Sequence, residues 1–330
     1  MTAAEAAAAV LFHPWGWGFP ARDLPLVALA AALAVPRLRR RRRLVAALAA
    51  VSVLALGARI AVREALIAEP PPPGPGLRVV VANIWRDNPR LAEDLARLFA
   101  TGPDVLALLE ATPALDAALD AAAPPDMRVL RPTQRWMQRR LAVRTATVET
   151  TGRDGAPPLP PLQSFEVARP CAPPLTLLVV HLGSPFDPRR PGKAAALVEA
   201  RAAARPPPGA LLLAGDFNAT ADHPDLALIA EGLGLDPLGA PTPTFLPGVL
   251  PAPRVLLPLL GLRIDHALAG PGLAGARAAT LALPGSDHDA LVVDLPDACA
   301  RPAAAGAGPA GAGAARAGLP PAGGAATLAP

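Results

Sequence analysis

Short apolar runs that each end on a polar side chain govern what this chain can become. The clearest is Leu211-Leu212-Leu213-Ala214, which stops at Gly215 and delivers Asp216 and, two residues on, Asn218. Runs of this length, bounded by turn residues, suit a strand buried on both faces, and polar groups at such strand ends are where α/β proteins place their sites. The pattern recurs. Residues 77–82 lead to Asn83, residues 105–109 to Glu110 and residues 175–180 to His181. Asp265 lies in a further strand, 263–268, and Asp287-His288 precede a last one, 290–295.

Helical spacing alternates with these strands. Residues 91–99 carry apolar side chains at helical intervals and stop at Gly102-Pro103, and 112–123 and 192–204 also read as helices. Residues 139–150 read as one strand rich in β-branched side chains, and 165–168 with 175–180 as a strand pair. Aromatics are only 3% of the chain, with no tyrosine, while hydrophobic residues reach 52%, so the core is built from Ala, Leu and Val. Proline and glycine cluster at 69–76 and beyond 302, which marks a linker and a tail. The tail, 298–330, lacks large apolar residues to offset chain entropy and is expected to be disordered.

Residues 1–68 are a different kind of sequence. The run 44–62 approaches the length that crosses a bilayer, and a shorter apolar run, 24–35, precedes it. Between them, residues 37–43 hold six arginines, which belong on the cytoplasmic side. One or two transmembrane helices, near 24–38 and 44–62, therefore anchor a body, 77–297, outside the cytoplasm. A signal peptide cleaved near Ala55-Leu56-Gly57 is the alternative. The net charge of +4 belongs to this anchor: residues 1–69 carry nine Arg against four acids, and the remainder carries 22 basic against 23 acidic residues. A grip on duplex nucleic acid normally shows as a basic excess, which the body lacks. Two cysteines, Cys171 and Cys299, are either one disulfide or two buried thiols.

Taken singly, Asn83, Asp216 and Asn218 read as turn or cap residues and His181 as a structural histidine. Glu110 resists that reading, because a carboxylate at the mouth of a buried strand needs a cation or hydrogen bonds. If the strands lie side by side or in two layers, all these ends converge on one rim. The set then offers oxygen ligands suited to Mg²⁺ or Mn²⁺, with histidines and carboxylates to orient them.

In this order, Ala82-Asn83, Pro103-Asp104 through Glu110, Val179-Val180-His181, Gly215-Asp216-Phe217-Asn218, Arg263-Ile264-Asp265-His266 and Gly285-Ser286-Asp287-His288 resemble the successive motifs of the endonuclease/exonuclease/phosphatase superfamily. The resemblance implies a four-layer α/β/β/α sandwich, two packed mixed sheets flanked by helices, and metal-dependent cleavage of phosphoester bonds. It implies Glu110 as the principal metal ligand, with Asn83 and Asp287 in support. Asp216 would position or deprotonate water, and Asn218 would bind a phosphate oxygen. Asp265 would orient His288 as general acid/base or transition-state stabiliser, and His181 would contact the scissile phosphate. Many members place a tyrosine near the phosphate, which this chain lacks; Arg135, Arg139 and Arg140 occupy that region, as phosphate ligands or as a solvated basic loop. His266 stands where the family often has an aromatic, as a packing residue.

The expectation is a membrane-anchored, extracytoplasmic, Mg²⁺-dependent phosphoesterase. A phosphodiester, phosphomonoester or lipid-linked pyrophosphate is its substrate, with lipids and small molecules favoured over nucleic acid. A surface nuclease is the alternative, and a non-catalytic, membrane-tethered binding module the second. The bilayer is the expected partner, and no protein partner is inferred.

Overall fold

The computed structural model describes residues 42–67, 74, 76–131, 139–149, 162–184, 192–203, 210–239, 242–246, 261–296 and 299. The first apolar run, most of the arginine run and of the linker, Arg135 and nearly all of the tail lie outside them. Helix α1 (Arg42–Ile67) contains an 18-residue window, Val45–Val62, of mean hydropathy 2.2, long and apolar enough to cross a membrane. Val53 and Leu54 on it are 69% and 72% exposed, so protein packing does not account for its composition.

Twelve strands form two six-stranded sheets. The first contains β1 (Arg78–Asn83), β2 (Val105–Leu109), β3 (Arg128–Leu130), β4 (Arg139–Val143), β11 (Arg277–Leu281) and β12 (Ala290–Asp294), in the order β11-β12-β1-β2-β4-β3. The second contains β5 (Thr147–Glu149), β6 (Leu162–Val167), β7 (Leu175–His181), β8 (Ala210–Asp216), β9 (Asp236–Pro237) and β10 (Asp265–Ala269), in the order β5-β6-β7-β8-β10-β9. Each sheet has one parallel pair at its centre, β1 with β2 and β7 with β8, and antiparallel neighbours outside it. A parallel pair carries both of its strands to the same edge, so Asn83 and Leu109 end together, as do His181 and Asp216.

Alternation along these strands feeds three apolar layers. Val79, Val81, Val105, Ala107 and Leu109 face inward and meet Leu175, Leu177, Val179, Leu212 and Ala214 of the other sheet. Their alternates Val80, Ala82, Leu106 and Leu108 face outward against Leu95 and Leu98 of α2 (Leu91–Ala100) and Leu115 and Leu119 of α3 (Pro113–Ala122). On the opposite side Leu178, Val180, Leu213 and Leu268 meet Leu197 of α4 (Lys193–Ala203) and Leu226 and Ile229 of α5 (Pro224–Leu233). The chain is thus an α/β/β/α sandwich, and strands buried on both faces explain why the runs read as continuous apolar sequence. Burying each such Leu or Val side chain fully contributes about 1.5–3 kcal/mol.

Local chemistry sets the helix ends. Thr112 accepts the Leu115 N–H and Pro113 opens α3, while Pro224 opens α5 and Gly234, at φ 62°, closes it. Helix α5 and the strands β3, β9 and β11 go beyond the sequence reading. The expected strand 139–150 is corrected: it is two strands in different sheets, broken at Arg144–Ala146. The Arg144 N–H donates to Asp104 O and its guanidinium to Pro103 O, which turns the chain from one sheet to the other. Both Cys171 and Cys299 are in disulfide form.

His266 occupies a packing position. It is buried, sits edge-on to Phe217 at 5.5 Å between ring centres, and its Nε2 lies 2.8 Å from Ala219 O. Burial, aided by the nearby Arg263 charge, pushes its pKa down to about 3 from an ordinary 6.5. Between those values the folded state binds fewer protons than the unfolded chain. Stability from this group is therefore complete above pH 6.5 and lost toward pH 3, by up to about 1.4 kcal/mol per pH unit. His266→Phe is expected to flatten the fall of stability between pH 6.5 and 4, followed by urea unfolding; a slope equal to that of the wild type would contradict this assignment.

Candidate active site

The free ends of the two parallel pairs face each other across the sandwich. Asn83 closes β1, Glu110 follows β2 directly, and His181 and Asp216 close β7 and β8 in register. Asp265 opens β10 opposite Asp216, and His288 pairs with Phe245 in an isolated bridge. The backbone bends sharply where these side chains leave the sheets. Gly215 has φ 147°, and a Cβ there would stand 2.0 Å from Val180 O, so only glycine allows β8 to approach β7 this closely. Glu110 and Asn218 adopt φ of 58° and 47°, a conformation that costs a non-glycine residue about 1–3 kcal/mol and gathers at functional sites.

Asn83 joins the two sheets. Its Nδ2 donates to Glu110 Oε1 at 3.2 Å and to Asp216 Oδ2 at 3.2 Å, and lies 3.4 Å from His288 Nε2. Glu110 also accepts the Arg86 N–H at 3.2 Å, and the exposed Arg86 guanidinium stands 3.6 Å away. Burial opposes ionisation of Glu110, but His181, Asn83 and Arg86 outweigh it and hold its pKa below the ordinary carboxylate value. Asp216 behaves differently. Its burial, reinforced by the Asp265 charge and opposed by His288, raises it to about 7. The Asn218 N–H donates to Asp216 Oδ1 at 2.7 Å, and the Asn218 amide donates to Asp216 Oδ2 and to Leu182 O. Asn218 thereby fixes the orientation of the Asp216 carboxylate.

The two histidines carry opposite charge states. His288 is buried, which alone would lower its pKa, but Asp265 and Asp216 raise it to about 10. Its Nδ1 lies 2.9 Å from Asp265 Oδ2, and its Nε2 is 3.9 Å from Asp216 Oδ2 and 4.0 Å from Asp287 Oδ1. His181, with its Nε2 3.5 Å from Asp216 Oδ2 and 3.9 Å from Glu110 Oε1, is pushed down to about 4 by burial, with Arg139 and His288 adding to the effect. At neutral pH the site therefore presents one imidazolium and one neutral imidazole.

Asp216, Asp265 and His288 bring ligand atoms within 4.8 Å of one another, a group close enough to hold an ion. Asp265, however, is engaged by His288 Nδ1 and by the Thr244 hydroxyl at 2.6 Å. The donors that better fit a hard cation are the Glu110 carboxylate and the adjacent Asn83 amide, where a half-turn of that amide exchanges nitrogen for oxygen.

Arg139 and Arg140 part company. Arg139 stands beside Leu109 in the sheet, is buried, and has a pKa lowered by burial to about 10, so it stays charged and acts on His181. Arg140 turns to the other face and forms a two-pronged ion pair with Asp116 of α3, its Nη2 2.7 Å from Oδ2. Sequence reasoning passed over Thr244, whose hydroxyl holds Asp265, and Phe245, whose ring lies 4.6 Å from that of His288. It quoted Ser286 without a role. The Ser286 hydroxyl donates to Asn83 O at 2.8 Å and accepts the His288 N–H at 3.0 Å. Thr242 and Thr244, buried between prolines, are the one local signal for the first of these.

A family model described as the Endonuclease/Exonuclease/phosphatase family matches residues 80–288. Among solved structures, a beta toxin from Staphylococcus aureus aligns with TM-score 0.52 at 9% identity, covering 67% of this chain and 100% of its own. An AP endonuclease from Archaeoglobus fulgidus aligns with TM-score 0.49 at 16% identity, covering 66% of this chain and 99% of its own. A 3′ phosphatase from Neisseria, solved with a product DNA hairpin, aligns with TM-score 0.47 at 20% identity, covering 67% and 99%. No curated protein matches the chain. Enzymes of this family are generally dependent on a divalent metal and hydrolyse phosphoesters. The match spans both sheets and every motif that supplies the rim, and the chain belongs to the endonuclease/exonuclease/phosphatase family.

Proposed function

We propose that this protein is a membrane-anchored, Mg²⁺-dependent phosphoesterase whose catalytic domain, residues 77–297, lies outside the cytoplasm. One observation carries the reading: Asn83 and Glu110 from one sheet meet His181, Asp216, Asp265 and His288 within hydrogen-bonding or ion-pair reach. Glu110 would hold the cation with Asn83 and Asp287 in support, and a bound Mg²⁺ supplies neutralisation of phosphate charge. Asp216, with a pKa of about 7, accepts the proton of the attacking water and returns it as the cycle closes. Asn218 holds that carboxylate in place, and its amide reaches a phosphate oxygen by giving up one of the bonds it makes to Asp216 Oδ2 and Leu182 O. His181 hydrogen-bonds the scissile phosphate as a neutral imidazole, and the His288 imidazolium, kept charged by Asp265, stabilises the charge that develops on the phosphoryl oxygens. Arg139 adds a fixed cation at the same edge, while Arg140 remains with Asp116.

Several features favour a lipid or small phosphoester over duplex DNA. The chain beyond residue 69 holds 22 basic against 23 acidic residues, without the basic excess that backbone binding uses. The sequence of residues 247–260 contains Val249, Leu250, Val255, Leu256, Leu257, Leu259 and Leu260 with Arg254 as its one charge. In sequence this stretch follows Phe245, whose ring lies 4.6 Å from that of His288. Helix α1, the arginine run that precedes it and the disulfide form of both cysteines support an extracytoplasmic position.

The full-length protein in detergent is expected to release phosphate or a headgroup from phospholipid or prenyl pyrophosphate in the presence of Mg²⁺. Glu110→Ala and His288→Ala should each lower kcat/KM by about 10²–10³-fold. Rapid nicking of plasmid DNA without lipid turnover would favour the surface nuclease, and variants that leave activity and cellular phenotype unaltered would favour a binding module. A reporter enzyme fused after Leu295 is expected to be active only outside the cytoplasm; activity of a cytoplasm-dependent reporter at that point would overturn the orientation.

A further inference from the structure

Helix α2 contributes nothing to the reacting groups, yet its Asp94 is a carboxylate with no exposed surface. A buried carboxylate is costly unless it is hydrogen-bonded. Asp94 Oδ2 accepts the Gly285 N–H at 3.0 Å and the Asn88 Nδ2–H at 2.8 Å, and its Oδ1 lies 3.3 Å from the same glycine nitrogen. Asn88 Nδ2 donates in turn to Ile84 O at 2.9 Å, and Asn88 Oδ1 accepts the Arg90 N–H at 2.7 Å. The loop that follows Asn83 and carries Arg86 is thereby tied to the helix.

Gly285 opens the loop that ends at His288. Its successor Ser286 donates to Asn83 O and accepts the His288 N–H, so the contacts close into a ring through Asp94, Asn88, Ile84, Asn83, Ser286 and Gly285. The ring is also filled. A Cβ on Gly285 would stand 2.1 Å from Asn88 Oδ1 and 2.8 Å from Asp94 Oδ2, which leaves no slack between the loops.

We infer that Asp94 is a positioning residue, its carboxylate clasping the loop after Asn83 to the loop before His288 and so setting the distance between the metal-side groups and the His288 ring. The inference rests on the proposed reading that Asn83 and His288 serve one reaction. A helix-stabilising role alone, from a carboxylate in the first turn of α2, predicts a different set of results.

Full-length protein in detergent is assayed with Mg²⁺ and bis(4-nitrophenyl) phosphate, alongside amide hydrogen exchange at Gly285 and His288. Asp94→Ala should lower kcat by about 10²-fold with KM held within about twofold, since misplacement of about 1 Å suffices for such a loss. Asp94→Asn keeps an acceptor for the Gly285 N–H and should recover part of kcat. Leu98→Ala on the same helix should lower the melting temperature and leave kcat at 25 °C unchanged. Faster exchange of the His288 amide in Asp94→Ala, two contacts from the substitution, would support the clasp. The inference is overturned if Asp94→Ala keeps kcat within about threefold of wild type, if Leu98→Ala lowers kcat equally, or if His288 exchange is unaltered. Should the wild type turn over no phosphoester at all, the proposed function fails, and the exchange data still decide the clasp.

Discussion

Two carboxylates from different sheets, the half-buried Glu110 and the buried Asp216, face the same amide nitrogen of Asn83. Carboxylates gathered this way repel, and they persist only where hydrogen bonds or cations compensate. Much of the surrounding architecture answers that constraint. The parallel pair at the centre of each sheet brings the carboxylates to one edge, Gly215 lets β8 close on β7, and the left-handed turn at Glu110 aims its side chain inward. In the proposed function, the same concentration of negative potential that is costly to the fold would draw a divalent cation, and the cation would draw a phosphate.

The charge of the site is balanced by unequal treatment of similar groups. His288 sits between Asp265 and Asp216 and keeps its proton, whereas His181 loses it through burial, with the cationic Arg139 adding to the effect. Of the carboxylates, Glu110 is held ionised while Asp216 stands near neutrality of its own titration. Environments that push paired groups apart in this way assign acid, base and electrostatic roles within one small volume. Thr244 and Phe245 fix the Asp265–His288 pair by a hydroxyl contact and by ring packing.

The strand ends were legible because strands buried on both faces leave continuous apolar runs, and a polar residue after such a run has few structural uses. Asn83, Glu110, His181 and Asp216 are legible this way, Asp265 and His288 stand within or ahead of further strands, and all six converge. What stayed hidden depends on contacts far apart in sequence. Nothing local distinguishes Arg139 from Arg140; strand alternation sends one toward His181 and the other to Asp116. Residues 139–150 read as one strand because propensity does not register that Arg144 is caught by the 103–104 turn and shifts the chain to the other sheet. Asp94 looks like an ordinary first-turn helix acid until Gly285, 191 residues away, donates to it.

In the proposed function one divalent ion binds between the sheets on Glu110, with Asn83 and Asp287 in support. The most direct measurement is the anomalous difference map of crystals grown with Mn²⁺, for the wild type and for Glu110→Gln. A single strong peak in contact with the Glu110 carboxylate, absent from the variant, is expected. A peak that survives Glu110→Gln, or one seated on Asp265 and His288 away from Glu110, would contradict it.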